Sequence, residues 1–161
     1  MEALLTPIPA IHIEEGEAVF AEYGRVAFGS DNWELFDRLR QEGVDKSLPV
    51  LIYASATGLQ TRSSPFALHK VVCSAMLDGF EESRGGKHKR PHLRTKTAFE
   101  TDSGFALFWE VVALKRLEAT INLNSLRPLQ AKGKTGKVLT EAPRGPIRVW
   151  LDENSASKKN I

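Results

Sequence analysis

Cysteine is almost absent from this 161-residue sequence, where Cys73 stands alone. An intramolecular disulfide is therefore excluded, and without a C-x-x-C or paired Cys/His spacing a structural zinc site lacks its ligands. Also missing is any apolar run near the ~18 to 20 residues that a membrane-spanning helix needs. The opening MEALLTPIPAIHIEEGEA carries glutamates where a secretory signal has its basic flank. These absences predict a soluble, cytoplasmic protein with no membrane partner.

Motifs of nucleotide chemistry are missing as well. No G-x-x-x-x-G-K-[ST] or G-x-G-x-x-G occurs, so a phosphate cradle at a helix N-terminus has no glycine pattern to build on. No G-x-S-x-G marks a nucleophile. His69 and Cys73 share a face of a Val-rich strand without a third ligand, and His88 and His92 bracket Pro91, which breaks a helical metal pair. From the residues alone, no catalytic centre, metal or cofactor is read.

What is present is an ordinary globular balance, 42% hydrophobic and 26% charged, in a chain of one-domain length. The net charge of +2 conceals a strong asymmetry. Residues 1–45 hold ten acids against Arg25, Arg38 and Arg40, and the rest of the chain holds nineteen bases against ten acids. Two runs concentrate those bases. Residues 83–99 carry Arg84, Lys87, Lys89, Arg90, Arg94 and Lys96 with no acid, and residues 127–148 carry Arg127, Lys132, Lys134, Lys137, Arg144 and Arg148 against Glu141 alone. Gly-Gly, Arg-Pro and the KGKTGK spacing break helical periodicity, so both runs read as loops. Lysine and arginine on glycine-rich loops suit phosphate contact, and a mobile solvated surface is the competing reading.

Along the chain, residues 1–24 read as an acidic N-terminal extension, residues 25–151 as the domain and residues 152–161 as a frayed tail. The pattern predicts a strand over 25–30 and a helix that opens on a capping box at Asp31 and ends before Gly43. Strands follow over 48–55, over 67–80 with a bend near Gly79, and over 104–117. One helical turn is expected at 122–126, and a strand pair or a strand and a bend over 138–151. Many strands and one or two short helices predict an α+β, mostly β fold, a small mixed β-barrel or roll rather than a doubly wound sheet.

Phe28-Gly29-Ser30, Tyr53-Ala54-Ser55, Cys73-Ser74-Ala75-Met76 and Trp109-Glu110-Val111, in that order and each at the end of or within a strand, resemble the PUA-like superfamily, in particular its EVE, YTH and ASCH branches. The resemblance covers about residues 25–148. It implies a mixed barrel whose mouth accepts an extruded or modified nucleobase of RNA or DNA. Such a base is held by an aromatic face and edge hydrogen bonds while Lys and Arg neutralise phosphates. The implied base pocket comprises Ser30, Asn32, Trp33, Tyr53 and Ser55. The phosphate contacts are Lys87, Lys89, Arg90, Arg94, Lys96, Lys132, Lys134 and Lys137. Trp33 is either a stacking platform or a core residue, Asn32 an edge contact or a helix cap, and Ser55 an edge contact or a strand end. Trp109 and Trp150, inside apolar strands, read as core. The leading function is a non-enzymatic nucleic-acid reader. Two alternatives stand beside it. One is an ASCH-like amidohydrolase of a modified nucleoside, which needs a lysine converging on a carboxylate such as Glu110. The other is a protein-interaction module, with Glu14, Glu15, Glu17 and Glu22 docking a basic partner or shielding the basic runs.

Overall fold

Residues 1–24, which the sequence reads as an acidic extension, hold a strand of the sheet and a helix. The computed structural model describes residues 1–55, 69–82, 105–130 and 135–152. Its elements are β1 (Glu2–Pro9), α1 (Ala10–Tyr23), β2 (Val26–Ser30), α2 (Trp33–Gln41), β3 (Pro49–Ser55), β4 (Lys70–Glu82), β5 (Leu107–Asn122), a 3-10 turn (Leu123–Ser125), β6 (Arg127–Pro128) and β7 (Ile147–Trp150).

β1 runs parallel to β3, with Leu4 opposite Val50 and Pro9 opposite Ser55, and antiparallel to β7, with Glu2 opposite Trp150 and Leu5 opposite Ile147. A strand with neighbours on both sides and both faces covered carries a continuous apolar run, and Ala3, Leu4 and Leu5 are fully buried. The two prolines that argue for an irregular segment, Pro7 and Pro9, fall beyond Leu5, where β7 no longer pairs and β1 has β3 as its one ladder partner. There a missing N–H breaks no bond on the open side. α1 ends at Gly24, whose φ of +73° and N–H to the Phe20 carbonyl at 2.8 Å close the helix in the left-handed conformation that glycine adopts cheaply.

The strands form a seven-stranded sheet in the order β2-β5-β4-β3-β1-β7-β6. The fold is thus α+β and mostly strand, with two helices. Among the described residues the sheet is not closed into a barrel, and β2 and β6 are its edges. α2 is capped by Asn32, whose side chain accepts the Leu35 N–H at 3.3 Å, one residue later than the expected Asp31. Asp31 instead accepts the Ala106 N–H at 3.2 Å. No described helix is long and apolar enough to cross a membrane.

The chain divides into two compact units, residues 1–10, 49–74 and 115–161 in one and residues 11–48 and 75–114 in the other. The division falls within β4 and within β5, two residues after Ala113, which takes a φ of +53° in mid-strand. In the first unit Leu5, Leu51, Tyr53, Val71, Ile121, Leu126, Val149 and Leu151 pack as one buried cluster. In the second, the aromatic rings do this work. Phe36 stacks on Trp109 at 6.1 Å, Phe28 lies 5.1 Å from Trp109, and Phe80 lies 5.6 Å from Phe36.

If β1 is integral, deleting residues 1–20 removes a paired strand and most of α1 together. The truncated chain is expected to lose its cooperative thermal transition by circular dichroism. A native-like melt would return these residues to the status of an extension.

Candidate functional site

In the second unit, β4 brings Asp78, Gly79, Phe80 and Glu81 to one place, and β5 adds Glu110. Arg40 from α2, with Asp45 and Lys46 after it, completes a cleft of about 320 Å³. Gly79 makes this geometry possible. Its φ of +89° is strained for any residue with a Cβ, and its N–H leaves the strand to bond the Asp45 carbonyl at 2.8 Å. This is the site of the bend that the sequence predicts.

Two charged contacts organise the walls. Arg25, just before β2, donates from Nη2 to Asp78 Oδ2 at 2.5 Å and from Nη1 to Glu110 Oε2 at 3.3 Å. One guanidinium thus holds two carboxylates from neighbouring strands. All three side chains remain 21% to 42% exposed, so water screens the pair and its role is chiefly to fix position. Arg40 lays its guanidinium 3.9 Å above the Phe80 ring and donates to the Phe80 carbonyl at 3.1 Å. Cation–π attraction and the hydrogen bond act on the same side chain. Trp33 meets Phe80 edge-on at 5.7 Å. The cleft therefore presents carboxylate acceptors and guanidinium and ammonium donors, with the buried Phe80 ring held beneath Arg40. That set matches a small planar ligand with both donors and acceptors on its edge, and the volume sits at the low end of small-molecule sites.

The expected pocket residues divide between the units. Ser30, Asn32 and Trp33 lie together at the β2–α2 junction. Ser30 is buried and its Oγ accepts the Asn32 N–H at 3.2 Å, while Asn32 caps α2 and Trp33 is half-buried against Phe80. Tyr53 and Ser55 belong to β3 in the other unit. Ser55 is half-buried at the strand end, opposite Pro9. Tyr53 is 1% exposed, its hydroxyl donates to the Pro143 carbonyl, and burial pushes the phenol from 10.0 up to about 12. Lys137 is exposed in that same unit. Lys87, Lys89, Arg90, Arg94, Lys96, Lys132 and Lys134 lie outside the described residues.

Arg25, Arg40, Asp78 and Phe80 were not foreseen from the sequence. Their partners are distant in the chain, and the one local signal was the bend at Gly79. Trp109 is buried as expected, but Trp150 is 38% exposed. A second cavity, of about 410 Å³ in the first unit, is lined by His69, Leu123, Asn124, Leu139, Thr140, Glu141 and Ala142. Among the described residues no group of three or more His, Cys, Asp or Glu side chains is placed to hold a metal. No family model matches the sequence, and no curated protein matches it.

The phenol of Tyr53 yields a test with a defined sign. Its folded-state pKa, about 12, lies above the value of 10.0 in an unfolded chain, so the fold favours the neutral form. That stabilisation is intact below pH 10 and is lost as pH rises through about 12. Wild type should therefore lose melting temperature faster than Tyr53→Phe across this interval. Parallel curves for the two proteins would place the hydroxyl in water.

Proposed function

We propose that this chain is a PUA-like nucleic-acid reader in which the charged cleft takes an extruded or modified base and the run 83–99 neutralises the flanking phosphates. The single observation that carries the reading is one of connection. Phe80 and Glu81 of the cleft stand at the end of β4, and the acid-free basic run begins at the very next residue after Glu82 and leads back to β5, which supplies Glu110. The cleft strand β4 is thus continued in sequence by a dense positive segment. The cleft suits one base, since carboxylates accept from amino and imino groups while Arg40 and Lys46 donate to carbonyl and ring nitrogen atoms. Lysines and arginines at this density release counterions from a phosphate backbone.

The placement among PUA-like domains rests on the resemblance of residues 25–148, and the α+β, mostly strand fold is compatible with it. Closure of the sheet into a barrel is part of this proposal. So is the role of Trp33, beside Phe80, as an aromatic wall for the base.

One observation favours a second reading, hydrolysis of an amide on a modified nucleoside: Lys46 and Glu110 line the same cleft. Release of free acid from an N-acyl nucleoside, abolished in Lys46→Met, distinguishes a hydrolase from a reader.

The reader is tested by anisotropy titrations of a labelled single-stranded 12-mer across a salt series. Replacing Lys87, Lys89 and Arg90 by Gln should lower affinity for modified and unmodified oligonucleotides by similar factors. It should also flatten the log–log salt slope by roughly 0.7 for each phosphate that is no longer neutralised. Trp33→Ala should weaken binding by about 1 to 3 kcal/mol, with the slope unchanged. An unaltered slope in the triple variant would make the run 83–99 a solvated surface and remove the proposal's main support.

A further inference from the structure

The exposed indole of Trp150 has no place in the cleft and lies in the first unit. Along β7 the residues alternate. Val149 and Leu151 are fully buried in the core cluster, so Arg148 and Trp150 project from the other face of the strand. Antiparallel register on both sides sets Glu2 of β1 and Arg127 of β6 directly opposite Trp150, and such partners share its face. Three adjacent strands thus present Glu2, Trp150 and Arg127 in one row, with Arg148 two residues along β7.

Among the described residues of this row the uncompensated charge is that of Arg127. Glu2 is neutralised by an ion pair with Arg148 Nε. Arg127 is exposed, and its Nη1 donates to the Gly136 carbonyl at 3.4 Å, which ties β6 to the segment bearing the exposed Lys137. Beside Lys137, Val138 is 39% exposed, a small apolar neighbour. The chain from Arg127 to Arg148 carries six bases and one acid. A single exposed tryptophan is ordinary on a protein surface. An exposed tryptophan opposite an arginine, with a lysine nearby, is the combination that single-stranded nucleic acid uses: bases stack on the ring while cations track the phosphates.

We propose that the β1–β7–β6 face is a second contact for single-stranded nucleic acid, in which Trp150 stacks on a base and Arg127 and Lys137 bind the adjoining phosphates. It rests on the nucleic-acid reading above but uses none of the cleft residues. Stacking on an indole is tolerant of sequence, so this face supplies affinity and anchors the strand while the cleft discriminates.

The test uses the wild-type full chain, whose emitting residues are Trp33, Trp109 and Trp150. Oligo(dT) and oligo(rU) 12-mers are titrated at low salt, with intrinsic fluorescence and anisotropy recorded together. Stacking predicts quenching on binding that is markedly smaller in Trp150→Phe. It also predicts a fall in affinity of about tenfold in Trp150→Ala, with Trp150→Phe retaining most of the binding. Arg127→Gln with Lys137→Gln should flatten the salt slope. Circular dichroism melts check that the variants fold. Unchanged affinity and no quenching, with the oligonucleotide still bound, would overturn the platform and leave the cleft reading standing. Absence of any oligonucleotide binding by the wild-type chain would overturn both, and would turn this face toward an acidic protein instead.

Discussion

Pairing of β1 on both sides is the constraint on which the first unit depends. Its backbone is shared between β3 and β7, and the chain ends of this pairing are tied again where the Met1 ammonium donates to the Leu151 carbonyl at 2.9 Å and the Leu151 N–H returns to the Met1 carbonyl at 2.8 Å. A parallel β1–β3 pair cannot be joined by a hairpin and needs a long crossover. Residues 10–48 are that crossover, so α1, β2 and α2 follow from the pairing as much as from local propensity. The face opposite the core on β7 is defined by the same ladder, because fixing Val149 inward fixes Trp150 outward.

Local patterns were legible where a residue's neighbours in sequence decide its structure. β3 and α2 begin and end within two residues of their expected bounds, the bend at Gly79 is present, and a 3-10 turn stands where one helical turn was expected. β1 was not legible, because Pro7 and Pro9 speak against a strand unless it is known that β7 stops pairing at Leu5. α1 was hidden by its glutamates, which suggested an acidic extension, packed or partly loose, although Ile13 is buried. Strand alternation places Trp150 only once the register of β7 is known, and an apolar setting alone suggested core.

The cleft was still less legible, since its organising contacts span long sequence distances. Arg25 reaches Asp78 and Glu110 from the start of β2, and Arg40 reaches Phe80 from α2. Charge asymmetry is visible in the sequence, but the pairing of those charges is not. Some of the acids concentrated in the first 45 residues have structural tasks, with Asp31 on the Ala106 amide and Glu2 on Arg148. Twelve of the nineteen bases after residue 45 lie in the two basic runs, one continuing in sequence from the cleft strand and the other preceding Trp150. The charged cleft lies in one unit and the exposed Trp150 in the other.

The central claim, that bases as well as phosphates are recognised, is tested most directly by comparing two polyanions on the wild-type chain. A single-stranded oligonucleotide and an inorganic polyphosphate of matched charge are titrated over the same salt series. Both should show steep negative salt slopes, because counterion release is common to them. The oligonucleotide should bind about tenfold tighter or more at every salt concentration, since stacked bases add roughly 1 to 3 kcal/mol each that polyphosphate lacks. Equal affinity for the two, or none for either, would contradict base recognition.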